Sequence, residues 1–545
     1  MPVLLRALVR LSALALVVAA AAGLLWRHFD GPKLAPLPPP KPDAALDAAV
    51  AKVDATFRDS WREAGLDPTP EADPLTLARR LSLALTGAAP SLEEIRRLEA
   101  LPPGTDPASA WLEHLLSDRR SADYLAERFA RAFVGVETGP FLVYRRRRLV
   151  HWLADQIEAN RPYDALVRDL VAAEGLWTTR PETNFVTVSV EQGGGNNGPD
   201  ETQLAARTSR AFLGIRLDCV QCHDDLFGDR WKQADFHQVA AFFAQAEMTL
   251  TGVRENRGKD YETRYLGQSA TAVVPPAAPY ASELLPEQGH RRERLARWIT
   301  HPENAPFARA TVNRAWAILF GKPLVDPIDD LPLEGPFPPG LEILAQEFAA
   351  SGHDFRHLVR MIAKSEPFRR SSRSADPGKP VTPEQEAAWA AFPLTPLRPE
   401  QVAGSVIQAS SLPTLDGGTH ILHKLRRFGE TREFVKRSGD PGEEEFAGEA
   451  GTIPQRLLLM NGKLVRERIE PNPVMNASTR LARCSPSDKA AVRAAFLATL
   501  TREPEEAELA HFTGTLANTR KEARDRALAD LCWALVNTTE FSWNR

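Results

Sequence analysis

Cys219, Cys222 and His223 stand in the pentapeptide CVQCH, and these residue types at this spacing have a definite chemistry. Two thiols three residues apart on one turn can each add to a vinyl group of a porphyrin, and an imidazole directly after them is placed to ligate the iron. CxxCH is accordingly the attachment pattern of a c-type haem. With four Cys and twelve His in 545 residues, chance would yield it in on the order of one chain in a thousand. Haem c is therefore the expected cofactor, with Cys219 and Cys222 as thioether anchors and His223 as proximal ligand.

The stretch that follows, HDDLFGDRWKQADFHQVAAFF, supplies the expected surroundings. Phe227 and Trp231 are expected to wall the macrocycle, while Asp224 or Asp225 orients the His223 ring through its free nitrogen. A sixth ligand is not legible, His237 being the nearest histidine and Met248 the nearest methionine. The alternative is zinc, held by Cys219, Cys222 and His223, with His237 or an aspartate as fourth ligand. A redox disulfide would want a thioredoxin-like alternation of strands and helices, which the flanking sequence lacks.

These residues need elements to carry them. Leu204, Thr208, Phe212, Ile215, Cys219 and Cys222 recur at steps of three and four, which predicts one helix whose apolar stripe ends in the two thiols. Upstream, Gly193, Gly195 and Gly198 satisfy GxGxxG after the strand-like NFVTVSV, with Asp218 twenty residues on. A dinucleotide fold would need a second parallel strand ending at that acid. Since a helix runs there instead, the glycines are read as a loop.

Elsewhere the periodicity is helical. Helices are predicted over 108–133, 147–174, 291–299, 305–320, 341–348, 355–364, 399–410 and 488–500, and strands only over 184–190 and 263–274. Ser91 and Glu94 in LTGAAPSLEEI form a capping box, and LTREPEEAELA from Leu500 echoes that turn. The fold class is thus mainly α, two helical domains with a few short strands.

At the N-terminus, Arg6 and Arg10 precede a run from Leu11 to Trp26 that is apolar but for Ser12, the layout of a signal peptide or a membrane anchor. Sixteen residues of helix span about 24 Å against a hydrocarbon core of about 30 Å, and Ala19-Ala20-Ala21 offers a cleavage site. Against cleavage, Arg27 and His28 close the run, and Gly31 to Pro42 reads as a stiff proline-rich stalk that holds a domain off a membrane. Either way the body is expected in the cell envelope, on the periplasmic side, where covalent haem attachment belongs. The net charge of −4 gives no footprint for nucleic acid. Cys484 and Cys532 lie far apart in sequence and are expected to be small buried residues.

The stretch ARTSRAFLGIRLDCVQCHDDLFGDRWKQADFHQVAAFFA, with RRLSLALTGAAPSLEEI before it, resembles the planctomycete cytochrome-type domain of unknown function. LARWITHPENAPFARATVNRAWAILFGKPLVDPIDDL, FGETREF, GTIPQRLLLMNG and LCWALVNTTEFSWNR resemble the partner domain that commonly follows it. The resemblance implies this division: 1–30 leader or anchor, 31–45 linker, 46–247 the CxxCH domain, 248–290 linker, and 291–545 the partner domain. It also implies a departure. Asp225 and Leu226 stand where the family pattern has histidine and proline, and Gly228 looks inserted, so a second histidine ligand is missing there.

In the second half, Asn313, Arg314 and Trp316 on a helix and Asp326, Asp329 and Asp330 in a turn read as caps and salt bridges. No nucleophile elbow, phosphate loop or HExxH helix appears. The reading is an envelope electron-transfer protein with one c-type haem, passing electrons to another envelope redox or binding protein. Its rivals are a haem-free envelope binding or scaffold protein, of the kind that handles polysaccharide, whose CxxCH holds zinc or a disulfide, and a metal-dependent hydrolase built on the Asp-rich segments. No reaction is assigned by the sequence.

Overall fold

The helix start read at Ser91 is a start the chain uses. In the computed structural model, Ser91 Oγ accepts from Glu94 N at 3.0 Å and Glu94 Oε2 accepts from Ser91 N at 2.8 Å, the reciprocal cap that begins the helix Leu92–Glu99. The later echo repeats the geometry. Thr86 ends one helix before a left-handed Gly87 and Leu500 ends another before a left-handed Thr501, and in each case a helix follows whose third residue is a glutamate reaching back to the cap.

The structure describes residues 36–37, 39–136, 139–140, 142–190, 198–226, 230–376, 378–415, 421–439, 446, 453–472 and 476–545. Helix accounts for 57% and strand for 4%, which makes the fold mainly α as the periodicity implied. The named strands pair only as short antiparallel couples, Ala246–Thr249 with Gly252–Glu255, Glu262–Thr263 with Ala272–Val273, and Thr395–Pro396 with Trp543–Asn544. The apolar run Leu11–Trp26 and the glycines Gly193 and Gly195 lie outside the described residues. Among the described residues no helix is long and apolar enough to cross a membrane.

Two long helices predicted from periodicity are each divided by local chemistry. Asp118 takes an extended conformation and caps Arg119–Val134, which cuts 108–133 after Pro107–Ser117. The second stretch, 147–174, breaks at Asn160, with φ of 49°, and Pro162 into Arg146–Glu158 and Tyr163–Ala172. The strand expected over 184–190 is a correction: Pro181–Thr183 and Asn184–Thr187 are helical turns. Every residue from Glu182 to Ser189 is buried, so β-branched side chains here report burial on all sides rather than a sheet. Asn184 fixes the turn, its Nδ2 donating to Trp177 O at 3.0 Å and Pro181 O at 2.8 Å while Oδ1 accepts from Arg145 N at 2.6 Å.

Among the described residues two hydrophobic cores result. The larger runs from Leu37, at the end of the proline-rich stretch, to Phe392, so the expected stalk packs against the body at that residue. It joins helices from both resembling segments: Phe57 stacks on Trp316 with centroids 5.7 Å apart and Tyr163 stacks on Phe307 at the same distance. Such ring pairs add about 1 kcal/mol each beyond their buried area. The smaller core, from Leu397 to Phe541, takes in Leu83 of the helix Pro74–Thr86. The interior therefore divides near residue 395, which does not coincide with the 248–290 linker of the sequence reading.

Candidate functional site

A single helix carrying the thiols at its end is not what forms. The helix Glu201–Thr208 widens into a π turn, Ser209–Leu213, and stops at Gly214, whose φ of 63° and ψ of 38° are left-handed. Glycine is required there twice over. Left-handed backbone disfavours a Cβ, and one built on Gly214 would sit 2.9 Å from Leu331 Cδ1 and 3.2 Å from Ala310 Cβ. Leu204, Phe212 and Ile215 stay in the core, but the chain reverses before Cys219, which lies in the separate 3-10 turn Leu217–Val220. Both Cys219 and Cys222 consequently face solvent as free thiols.

The turn is held from three sides. Gln221 N donates to Asp218 O at 3.2 Å, and Gln221 O accepts from Gln233 Nε2 and His237 Nε2, each at 3.1 Å. Asp224 Oδ1 accepts from Gln233 N at 2.8 Å, and Asp225 N donates to Trp231 O at 3.0 Å. Arg210 clamps Asp218, one residue before the first thiol, through Nε at 2.9 Å and a second contact. Burial pushes the Cys219 thiol up, Asp218 adds to the rise, and Arg210 and Arg216 oppose it.

His223 bears on ligation directly. Its Nδ1 lies 2.7 Å from Asp224 O, and a carbonyl only accepts, so Nδ1 carries the proton and Nε2 is left with the lone pair. That is the arrangement by which a backbone carbonyl fixes the tautomer and direction of a metal-binding histidine. The orienting group is the main chain of Asp224 rather than the expected carboxylate of Asp224 or Asp225.

His237 has another occupation. It is 4% exposed, and its Nε2 donates to Gln221 O while Nδ1 accepts from the Tyr261 hydroxyl at 2.9 Å. Burial holds the imidazole below its ordinary pKa, which keeps it neutral and suits this tautomer. Both nitrogens are occupied, one on the CxxCH turn and the other on Tyr261, and service as a metal ligand would break one of those bonds. Phe227 lies outside the described residues. Trp231 is buried, with Nε1 unpartnered, and packs on Tyr280 with centroids 6.4 Å apart while the Arg230 guanidinium lies over its ring at 5.3 Å. Leu226, four residues after Cys222, is exposed, as is Leu266, whose N donates to Gln233 Oε1 at 3.0 Å.

The alternatives meet other geometry. Among the described residues, the group with three ligating atoms within 4.8 Å of one another is Glu94, His114 and Asp118, not the CxxCH residues. A guanidinium already fills it: Arg120 bonds Glu94 and lies 2.7 Å from Asp118. Burial alone would raise Glu94, but His114 and Arg120 outweigh it and hold the carboxyl at about 2. Asp329, one of the acids a hydrolase would use, is taken by Arg216 at 2.7 Å. Cys484 is exposed at the end of the helix Ala477–Cys484, a correction to its expected burial, while Cys532 is half-buried and its thiol pushed up to about 12.

The His237–Tyr261 pair and the Arg210–Asp218–Asp329 chain escaped the sequence reading, since nothing in a linear pattern marks partners 24 or 119 residues apart. No curated protein and no solved structure matches the chain. Residues 52–248 match the model of PSCyt2, a protein of unknown function (DUF1549), and residues 291–445 match that of PSD1, a protein of unknown function (DUF1553). With its exposed CxxCH turn falling inside the first match and Asp329 inside the second, this chain has the architecture of those two unknown-function domains in that order.

Proposed function

We propose that this chain is a monohaem c-type electron-transfer component of the cell envelope. The observation that carries the reading is the state of the motif: two free, solvent-facing thiols on one turn, followed by an imidazole whose Nδ1 is tied to Asp224 O and whose Nε2 has no partner among the described residues. The donor set fits a haem, with Cys219 and Cys222 as its thioether anchors and His223 as its proximal ligand. Bound there, the haem supplies one-electron chemistry.

The chain's own residues do the rest. His237, Gln233 and Asp224 hold the main chain of the turn in place, so both thiols and the imidazole are presented from a fixed frame rather than a loose loop. Exposed Leu226, close after them in the chain, offers apolar contact. The exported, tethered placement rests on the apolar run Leu11–Trp26 after Arg6 and Arg10, and the electron partner is another envelope protein. The test is expression of the full chain in a host with haem-attachment machinery. Expected are a Soret band, a covalent haem stain, and loss of both in the Cys219→Ala, Cys222→Ala double variant. Unmodified thiols in the natively matured protein would refute the proposal.

A further inference from the structure

The second family segment reaches into the CxxCH site. Asn313, fully buried on the helix Ala305–Phe320, uses its side-chain amide as a two-way clamp: Nδ2 donates to Val325 O at 2.8 Å and Oδ1 accepts from Val325 N at 2.9 Å. This fixes the start of the turn 325–331, whose end is fixed by Leu331 N donating to Gly214 O at 2.7 Å, at the reversal that launches the motif. So placed, Asp329 meets Arg216 Nε at 2.8 Å and lies 3.7 Å from Arg210, and Arg210 grips Asp218, the neighbour of Cys219. On the other side of the motif, Arg230 bonds Leu331 O and lies 3.7 Å from Asp330.

We propose that the turn 325–331 of the second segment is a working part of the CxxCH site, with Asp329 a positioning residue that locks the turn bearing Cys219 and offsets the positive field of Arg210 and Arg216. Its effect on an iron rests on the haem reading; its effect on the thiols does not. Three guanidiniums beside the motif would by themselves favour the more electron-rich state of a bound centre. The two acids of the second segment counter them. The pairing of the two segments then has a reason, since the second supplies the carboxylate that meets Arg216.

The experiment compares full-length wild type with Asp329→Asn and Asp329→Glu. In thiol-free-of-haem protein from a host without attachment machinery, iodoacetamide labelling of Cys219 is followed at pH 7.5 by peptide mass spectrometry, with exposed Cys484 as internal reference. Asp329→Asn is expected to speed Cys219 labelling about threefold or more relative to Cys484, with Asp329→Glu restoring most of the wild-type rate. In haem-loaded protein the midpoint potential rises in Asp329→Asn. An unchanged Cys219-to-Cys484 ratio overturns the inference, as does an equal acceleration of both cysteines with a collapsed melting transition, which would mark general unfolding. If wild type takes up no haem, the haem reading falls while the labelling arm still decides this one.

Discussion

Gly214→Ala gives opposite signs under two pictures of the segment before the motif. Were the helix to run on through Cys222, as the three-and-four spacing implies, glycine would be an interior helix residue and alanine would stabilise by about 1 kcal/mol. The structure demands the reverse. Alanine at φ of 63° costs about 1 kcal/mol in left-handed strain, and its Cβ would lie 2.9 Å from Leu331 Cδ1 and 3.2 Å from Ala310 Cβ. Leu331 is only 2% exposed and its amide is tied to Gly214 O, so yielding a few tenths of an ångström costs roughly another 1 to 2 kcal/mol. The sum is a destabilisation of about 2 to 3 kcal/mol. Urea unfolding followed by circular dichroism should show a lower midpoint at unchanged slope. A midpoint equal to or above wild type would refute both the reversal at Gly214 and the contact with the 325–331 turn.

Two further substitutions probe the frame. Asp54 is buried, and desolvation lifts its carboxyl to about 6 although Glu366 N donates to it; because the folded value exceeds the unfolded one, its contribution is full below about pH 4 and lost as pH rises through 6. Asp54→Asn, which keeps the acceptor without the charge, should therefore be more stable than wild type at pH 8 by up to about 3 kcal/mol, with the gap closing at pH 4, and a pH-independent difference in melting would contradict this. His237→Phe retains the ring packing against Tyr261 and Tyr265 but removes the donor to Gln221 O and the acceptor for the Tyr261 hydroxyl. A loss of about 2 kcal/mol and faster Cys222 labelling are expected, and no change in either would leave the clamp without function.

What the sequence made legible follows from how local the cause is. The Ser91–Glu94 cap and helices such as Arg291–Ile299, Ala305–Phe320 and Phe355–Lys364 are decided within a few residues, by caps and by a one-sided apolar period, and were read correctly. Asn184–Val190 failed because burial on every side erases periodicity. The helix through Cys219 failed because Gly214 looks like an ordinary interior glycine until Leu331 and Ala310 are brought against it. The motif itself was visible, being contiguous. Its supports were not, because His237 reaches it through Gln221 O and Asp329 through two arginines, and neither link has a linear signature.

The same reasoning bears on whether the two family segments are separable bodies. Phe57, in a helix of the first match, stacks on Trp316 of the second, and Trp316 stacks in turn on Phe320 at 4.3 Å and meets Trp389 edge-on at 5.1 Å. On another flank Arg292, 1% exposed, pairs with Glu255 and donates to Ala173 O at 2.8 Å, so a buried charge of the second segment is paired by groups from before it. A cut at residue 290 would strand that guanidinium and bare the aromatic stack, each loss costing several kcal/mol, which is comparable to the whole stability of an ordinary domain. The CxxCH turn sits on this shared core, leaning on Gly214, Leu331 and Asp329 at once. A site built across the seam in this way ties whatever chemistry the thiols and His223 perform to the presence of both segments.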